Sequence, residues 1–379
     1  MVSFKRSIVY MYGLGGSDVF RGILFPLYTS RLGFSDLQIG IILTLFTIVA
    51  LIAYYPASLV TEKFGAKLSL YVSQLTYFAS LTLISFTTHI IGLFLAYAIL
   101  GVAQAFLIQR NTMILANAES KEELNAIYSS VNGASLLGRL MGSLGVALLY
   151  FDPITIYFKI SFLILGLLWL TPLPLIHGLN DTRKAQKLSF SPQRQVLSYS
   201  VVSLFTGFGE NIIVTLLQLY YNELGASLLD ISLIYVGTSA VGYAGTFVAG
   251  RMSKRVVLGY LSSTLVYALA APFIGLPLIY SVIALTVYSF VRFARNVFGS
   301  VIRGEILKSM GQAEKGYGTS SITSTLGDSA GTFLQGYLFN LGEYDFPFII
   351  GAASMVGGSL LHYYFYRKYV GSKQKTQLQ

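Results

Sequence analysis

Twelve apolar stretches, each long enough to cross a lipid bilayer, are the feature that most restricts how this 379-residue chain can fold. A membrane-spanning helix needs about 20 mostly apolar residues. In lipid the backbone must satisfy its own hydrogen bonds, which favours helices. The stretches cover residues 8–30, 38–59, 68–88, 90–112, 126–151, 153–176, 196–220, 229–250, 256–275, 277–300, 317–340 and 344–366. We therefore predict an all-α membrane protein with twelve transmembrane helices.

The composition of the chain is that of a membrane protein. Hydrophobic residues make up 54% of it and charged residues 11%, whereas soluble domains carry about 25% charged residues. The sequence has no cysteine, and its three histidines lie far apart, so it offers no thiolate nucleophile and no metal-ligand cluster. A membrane-embedded enzyme needs a nucleophile with its base, or a metal cluster, at one depth. We therefore predict that the protein is not an enzyme and has no cofactor.

The net charge of +10 is distributed unevenly along the chain. If the amino terminus is cytoplasmic, nearly all basic residues between segments fall in the inner connections, and the outer side holds only Arg31 and Lys159. Cytoplasmic loops of membrane proteins carry such an excess. We therefore predict a multi-pass protein of the cell membrane with both termini in the cytoplasm. The basic residues then face lipid headgroups, and nucleic acid is not an expected partner.

The longest polar stretch, His177–Gln195, divides the chain into two halves of six segments each. We predict an N-terminal six-helix bundle over residues 1–176 and a cytoplasmic central loop over residues 177–195. A C-terminal six-helix bundle with a short cytoplasmic tail is expected over residues 196–379.

The two halves repeat each other. Segment one ends in a Leu-Gly pair at Gly33 and segment seven ends in one at Gly225, so superposing these glycines shifts the sequence by 192 residues. The same shift places Asp18, in the middle of segment one, on Glu210, in the middle of segment seven. Internal repeats are typical of secondary transporters, whose solute site lies near mid-membrane at the interface of the repeats.

The connection after segment two reads Ser58-Leu59-Val60-Thr61-Glu62-Lys63-Phe64-Gly65-Ala66-Lys67. It resembles the signature loop of the major facilitator superfamily, Gly-x-x-x-Asp-Arg-x-Gly-Arg-Arg/Lys, which lies between helices two and three. The sequence departs from this pattern at Ser58, Glu62 and Ala66. The resemblance covers essentially the whole chain, and it implies twelve transmembrane helices arranged as two pseudo-symmetric six-helix bundles.

In that family the loop acts as a latch between the two halves, so the resemblance implies a gating role for Glu62, Lys63, Gly65 and Lys67. Gly65 suits a tight turn between two helices. Glu62 is expected to face the start of helix eleven, near residues 318–320, where free backbone N–H groups favour an acid. The alternative is that the loop only sets the topology through its lysines.

Two carboxylates, Asp18 and Glu210, lie in mid-segment, where an ionisable residue costs about 2.5–3.5 kcal/mol and usually has a function. In the family, helices one, four, seven and ten line the central cavity, which implies that the two acids face each other. They are candidate proton-coupling residues. The alternative for Asp18 is a structural pair with Arg21, three residues further on. Glu210 has no basic residue at such spacing, and its alternative is a hydrogen-bonded acid that joins helices.

Deep arginines are the candidate ligands for an anionic solute, because the guanidinium fork suits carboxylate and phosphate groups. The predicted substrate-binding residues are Arg21, Arg110, Asn111, Arg292, Arg295 and Asn296. The alternative is that these arginines pair with buried acids. Arg303 is expected to extend to the membrane interface. Arg139 and Asp328 hold matched places in helices five and eleven, where interhelical pairing is expected. Glycines beside them, such as Gly138 and Gly327, suit close helix packing.

The sequence thus favours a secondary active transporter that moves a small organic solute by alternating access and is coupled to protons. Deep cations outnumber deep acids, which favours an anionic solute. One alternative is efflux of lipophilic cations, with the same acids as cation binders. Another is an uncoupled facilitator whose carboxylates are structural. We expect a monomer in the lipid bilayer.

Overall fold

The computed structural model describes residues 2–110, 121–148, 155–179, 194–252, 255–310 and 313–371, and every regular element within them is helical. The first half contains α1 (Val2–Ser17), α2 (Val19–Arg31), α3 (Asp36–Phe64), α4 (Ala66–Phe86), α5 (Ile90–Ile108), α6 (Lys121–Leu148), α7 (Thr155–Leu168) and α8 (Leu173–His177). The second half contains α9 (Arg194–Val214), α10 (Leu217–Glu223), α11 (Leu228–Arg251), α12 (Val256–Ala270), α13 (Leu278–Ser309), α14 (Ala313–Asn340) and α15 (Phe346–Tyr366). A 3₁₀ turn, Ala271–Gly275, follows α12, and a π-helical turn, Arg367–Gly371, follows α15.

Nine helical stretches of the described residues are long and apolar enough to cross a membrane. They are Asp36–Thr61, Ala66–Phe86, Ile90–Ile108, Tyr157–His177, Arg194–Glu223, Leu228–Arg251, Val256–Gly275, Leu278–Leu307 and Phe346–Gly371. The other three predicted segments are helical where described but less suited to lipid. The first is divided at Asp18, and α6 and α14 are rich in glycine, serine and other polar residues. The all-helical membrane fold is confirmed, and the count of twelve spans stays a prediction.

The predicted repeat is visible in the turn that follows the first membrane segment of each half. Gly33 and Gly225 both adopt a positive φ, 86° and 81°, which glycine adopts without steric cost. Two residues later the Ser35 hydroxyl accepts a hydrogen bond from the Gln38 amide, and the Gln38 side chain accepts one from the Ser35 amide. At the same shift of 192 residues, Ser227 forms the equivalent reciprocal pair with Asp230. Both turns therefore start the next helix with a capping box.

The chain forms two compact units. One comprises Met1–Leu188 with Ser227–Val236, and the other comprises Ser189–Ala226 with Gly237–Gln379. In the first unit α1 packs along α6, and α5 packs against α3 and α4. In the second unit α9 packs along α14 and α15, and α12 packs against α13. The first helix of each predicted half thus has its largest contact with the fifth helix of the same half.

Glycines allow these two helix pairs to approach closely. A Cβ atom added at Gly138 of α6 would overlap the carbonyl oxygen of Gly13 on α1, and one added at Gly327 of α14 would overlap that of Leu204 on α9. Only a residue without a side chain fits where the backbones lie so close together. The predicted packing role of these glycines is confirmed.

Helix seven of the predicted topology is interrupted between α9 and α10, and a side chain of α14 repairs the interruption. The Gln335 side-chain oxygen accepts a hydrogen bond from the Leu216 amide at 2.9 Å, and its nitrogen donates to the Ile213 carbonyl at 3.2 Å. Gln335 is fully buried. Because unpaired backbone groups are costly away from water, this amide replaces the helical hydrogen bonds that the interruption removes.

Candidate functional site

Asp18 and Arg21 form a buried ion pair at the junction of α1 and α2. The Arg21 Nε lies 3.0 Å from Asp18 Oδ1, and its Nη2 lies 2.5 Å from Asp18 Oδ2. The remaining nitrogen, Nη1, donates to the Tyr97 hydroxyl at 3.0 Å. The guanidinium also lies about 5.5 Å from the ring centres of Phe46 and Tyr97, within the range of a cation–π contact. The structural pairing that the three-residue spacing permits is therefore formed.

Arg110, two residues beyond the end of α5, reaches α1. Its Nη1 donates to the Met11 carbonyl at 3.3 Å, and its guanidinium lies 3.6 Å from the centre of the Tyr12 ring. A Cβ atom added at Gly15 would lie 3.2 Å from the same Nη1. The neighbouring candidate ligand, Asn111, lies outside the described residues.

In the second unit, Glu210 of α9 pairs with Arg292 of α13. The Arg292 Nε donates to Glu210 Oε1 at 2.6 Å, and its Nη2 contacts the same oxygen. Both side chains are largely buried. Pairing with a buried acid is the alternative that the sequence left open for Arg292, and the structure realises it through a helix distant in sequence.

Asp328 of α14 contacts α9, as the predicted interhelical pairing requires, and its partner is a neutral amide. The Asn211 Nδ2 donates to Asp328 Oδ1 at 2.7 Å. Gly207, one turn earlier on α9, makes room for the carboxylate, because a Cβ atom added there would lie 2.6 Å from Oδ1. For Arg139 on α6, the interhelical pair stays a prediction.

Arg295 of α13 is buried, and hydroxyl groups surround it. Its Nε donates to Thr264 Oγ1 at 3.2 Å, and its Nη2 donates to the hydroxyls of Tyr260 and Ser359 at 3.1 and 3.0 Å. Within the described part of the chain, this guanidinium donates only to neutral hydroxyl groups. Among these residues, the alternative of an ion pair with a buried acid is therefore not realised at Arg295.

His362 of α15 joins the same cluster, although the sequence placed no histidine in a site. Its Nδ1 lies 3.1 Å from the Tyr260 hydroxyl, and its Nε2 lies 2.8 Å from the Tyr199 hydroxyl. The imidazole is 3% exposed. No motif marks this cluster, because its members come from four helices and meet only through tertiary packing.

One cavity of about 390 Å³ in the second unit brings most of these groups together. Its charged and titratable lining consists of Glu210, Asp328, Arg295, Arg303, Tyr260 and His362. The candidate ligand Asn296 also lines it. Arg303 lines the cavity, and its Nε is buried. Helix α13 continues nine residues beyond the predicted segment end at 300, to Ser309, so Arg303 belongs to this helix. Its expected extension to the membrane interface stays a prediction.

The signature loop forms the predicted tight turn. Gly65 adopts a φ of 92° between α3 and α4, and its amide donates to the Thr61 carbonyl. The Lys67 ammonium donates to the carbonyls of His177 and Leu179 at 2.6 and 3.3 Å, at the end of α8. Cations are favourable at a helix carboxyl terminus.

The two remaining gating candidates, Lys63 and Glu62, lie in the last turn of α3. Lys63 is exposed, and its ammonium lies 5.1 Å from the centre of the Phe64 ring. The backbone of Glu62 belongs to α3, whereas its side chain lies outside the described residues. The latch against helix eleven therefore stays a prediction.

Comparisons with known proteins agree on one family. The model of the Major Facilitator Superfamily matches residues 7–332. Solved structures with a similar fold include the nucleoside transporter NupG, with a TM-score of 0.75 at 15% identity, covering 96% of this chain and 99% of that one. A bacterial homolog of the human lysosomal transporter Spinster gives 0.73 at 12% identity, covering 97% of each chain. A D-xylose-proton symporter gives 0.71 at 14% identity, covering 96% and 97%.

No curated protein matches the sequence. At these identities the structural likeness shows the fold alone, and the family match rests on the sequence. The family and the structural neighbours are membrane transporters rather than enzymes. With its apolar helices and its match over most of its length, the chain is a multi-pass membrane protein that belongs to the Major Facilitator Superfamily.

Proposed function

We propose that the chain is a secondary active transporter that moves a small organic solute, preferably an anionic one, by alternating access and couples the movement to protons. The observation that carries the proposal is the Glu210–Arg292 ion pair, whose acid lines a cavity that also presents Arg295. Intramembrane ionisable residues that face a cavity are typical of solute and proton pathways.

The pair suggests how protons and solute are coupled. A proton and Arg292 compete for the Glu210 carboxylate. Protonation removes the negative charge, so the guanidinium loses its ion partner and can bind an anionic group of the solute. Solute binding in turn leaves Glu210 free to take up a proton, because the two binding events are linked. In this scheme Glu210 is the proton-coupling residue, and Arg292, Arg295 and Asn296 bind the solute.

We assign the same division of roles to the first unit. Asp18 holds the position equivalent to Glu210, and its partner Arg21 is the candidate solute ligand. Arg110, which reaches α1 and contacts Tyr12, is a further candidate, with Asn111 beside it in sequence. The tight bidentate geometry of the Asp18–Arg21 pair makes it the less readily opened of the two pairs, which supports Glu210 as the main proton carrier.

Two structural neighbours support transport of a small organic solute, and one of them supports coupling to protons, whereas the preference for an anion rests on the arginines alone. One is a nucleoside transporter and another is a D-xylose-proton symporter.

We also propose that Glu62, Lys63, Gly65 and Lys67 form the cytoplasmic gate latch, and that Arg139 pairs with a neighbouring helix. The protein is proposed to act as a monomer in the cell membrane, with both termini in the cytoplasm and bundles over 1–176 and 196–379 joined by the loop 177–195.

Transport currents from liposomes on a solid support test this proposal. Pools of organic anions, sugars, nucleosides and lipophilic cations are added at equal pH and at an imposed pH gradient. We expect one pool of organic anions to evoke a current that the pH gradient increases. Glu210→Gln is expected to abolish the current while solute binding, measured on the detergent-solubilised protein, is retained. Asp18→Asn is expected to reduce it.

Glu223→Gln is the matched control, because Glu223 is exposed at the end of α10 and outside the cavity. It should transport as the wild type does. Solute uptake that ignores pH and survives both Glu210→Gln and Asp18→Asn would contradict proton coupling. A response confined to lipophilic cations would instead favour the efflux alternative.

A second candidate function is an uncoupled facilitator. One observation favours it, since both predicted proton carriers already have an arginine partner. A carboxylate that stays paired throughout the cycle holds helices together and carries no proton. In that case imposed pH gradients would leave the rate of solute exchange unchanged in the wild type.

A further inference from the structure

The cavity of the second unit contains two guanidinium groups that have no anionic partner among the residues that the structure describes. Arg303 lines the cavity, and its buried Nε makes no hydrogen bond within the described residues. Arg295 is 4% exposed and hydrogen-bonds only to neutral hydroxyls among the described residues. Buried charges are otherwise paired or bound to a ligand, because removing them from water is costly.

The acids that line the cavity already have other partners. Glu210 is bound by Arg292, and Asp328 accepts a hydrogen bond from Asn211. The imidazole of His362 is held between the hydroxyls of Tyr199 and Tyr260, so it supplies no negative charge either. With the Glu210–Arg292 pair balanced, the cavity presents two guanidinium groups against the single carboxylate of Asp328, whose partner is neutral, so positive charge is in excess beside an open volume of about 390 Å³.

The neutral partners of Arg295 hold its guanidinium in a fixed direction. Thr264 and Tyr260 of α12 and Ser359 of α15 bind its Nε and Nη2, while Nη1 makes no hydrogen bond within the described residues. Such a preorganised fork is suited to planar recognition of an oxyanion. Arg303 follows eight residues later on α13, about 12 Å along the helix axis, and two long side chains can reach into the space between them.

We propose that Arg295 and Arg303 form an oxyanion site in this cavity, which binds a carboxylate or phosphate group of the solute. The inference rests on the proposed function, because it names the chemical class of the solute that this cavity takes. It adds Arg303 as a solute ligand and gives Thr264, Tyr260 and Ser359 a positioning role for Arg295. Asn296, which also lines the cavity, is available for the uncharged part of the solute.

Thermal unfolding of the purified full-length protein in detergent tests the site without requiring transport. The probes are inorganic phosphate and two matched pairs, glycerol 3-phosphate with glycerol and gluconate with glucose. We expect the anionic member of at least one pair to raise the melting temperature in a saturable manner and its neutral partner to leave it unchanged. Equal shifts within both pairs, or no shift with any probe, would overturn the site.

Variants separate the site from a general charge effect. Arg303→Gln and Arg295→Gln should each weaken binding of the anionic probe by about tenfold or more, because each loses charge-assisted hydrogen bonds. Arg303→Lys, which keeps the charge but loses the fork, should bind with intermediate affinity. Arg251→Gln is the control, since Arg251 is exposed at the end of α11 and lies over the Phe247 ring.

Unchanged binding in Arg303→Gln, with the protein folded, would show that Arg303 is no ligand and would overturn the proposal. The outcome is distinguishable from failure of the transport proposal. Anion binding that depends on Arg303, without any solute current from liposomes, leaves the site standing and contradicts transport. A current that a neutral solute evokes and that Arg303→Gln leaves unchanged would support transport and contradict the oxyanion site.

Discussion

Arg292 donates a hydrogen bond to Glu210 at 2.6 Å, although the two residues lie 82 positions apart in the sequence. The pair joins α9 to α13 and is formed at the edge of the polar cavity. In the first unit the equivalent acid, Asp18, finds its arginine only three residues away. The same repeat position therefore carries an ion pair in both halves, but only the second pair connects different helices.

Removing the acid of the interhelical pair should destabilise the second unit. Glu210→Gln leaves the Arg292 guanidinium without its anion, and we expect a loss of roughly 1–3 kcal/mol in the free energy of unfolding. The double variant Glu210→Gln with Arg292→Gln should recover part of this loss, because no uncompensated charge remains. A double-mutant cycle by denaturant unfolding in detergent measures the coupling. Strictly additive effects of the two substitutions would contradict the pair.

The helix contact between α1 and α6 should tolerate no side chain at Gly138. Gly138→Ala places a methyl group against the Gly13 backbone, and overpacking of this kind costs about 1–3 kcal/mol. Gly133 is the matched control on the same helix, because nothing lies within 4 Å of a Cβ atom added there. Gly133→Ala should be neutral or stabilising, since alanine is the better helix former. Equal melting temperatures of the two variants would count against the close contact.

The turn of the signature loop should require glycine at position 65. Gly65→Ala forces an L-residue to a φ of 92°, and we expect a loss of about 1 kcal/mol or more. Gly178→Ala provides the comparison, because Gly178 has an ordinary helical φ of −76° and only a loose contact around its Cβ position. The measurement is the midpoint of thermal unfolding of each variant. A Gly65→Ala protein as stable as Gly178→Ala would show that the turn relaxes.

The interruption between α9 and α10 should depend on the amide of Gln335. Gln335→Leu keeps much of the buried volume but leaves the Leu216 amide and the Ile213 carbonyl without partners, which costs about 1–3 kcal/mol. Gln335→Glu keeps the acceptor for Leu216 and should lose less at a pH where the acid is protonated. Hydrogen exchange of the Leu216 amide reports the effect directly. Protection that is the same in Gln335→Leu and in the wild type would refute the role of this side chain.

Local features of the fold could be predicted from sequence, because short-range chemistry determines them. The turns at Gly33 and Gly225 follow from a glycine at the end of an apolar segment, and Ser35 with Gln38 marks the start of the next helix. The shift of 192 residues that aligns the glycines also aligns the capping serines, Ser35 and Ser227. A repeat seen in sequence thus recurs as hydrogen-bond geometry.

Partners across helices could not be predicted, because they depend on which face of each helix meets its neighbour. The sequence identified Arg292 and Arg295 as deep cations but gave no means to tell that, in the described parts of the chain, Arg292 meets an acid and Arg295 meets hydroxyl groups. The apolar segment ends at residue 300, whereas helix α13 continues to Ser309. Nothing in the sequence indicates that Arg303, on this polar continuation of the helix, lines the cavity. His362 carried no signal at all, since its neighbours Tyr199 and Tyr260 belong to other helices.

The amide of Gln335 has a mechanical consequence. It holds both sides of the interruption in helix seven of the predicted topology, through Ile213 before the break and Leu216 after it. Two hydrogen bonds from a side chain of α14 therefore fix the backbone at the interruption, so the angle between α9 and α10 does not change freely as it would at a hinge. If this part of the molecule moves, α9, α10 and α14 must move together as one rigid body. The carboxylates of Glu210 and Asp328 belong to these helices, so they keep their positions relative to each other.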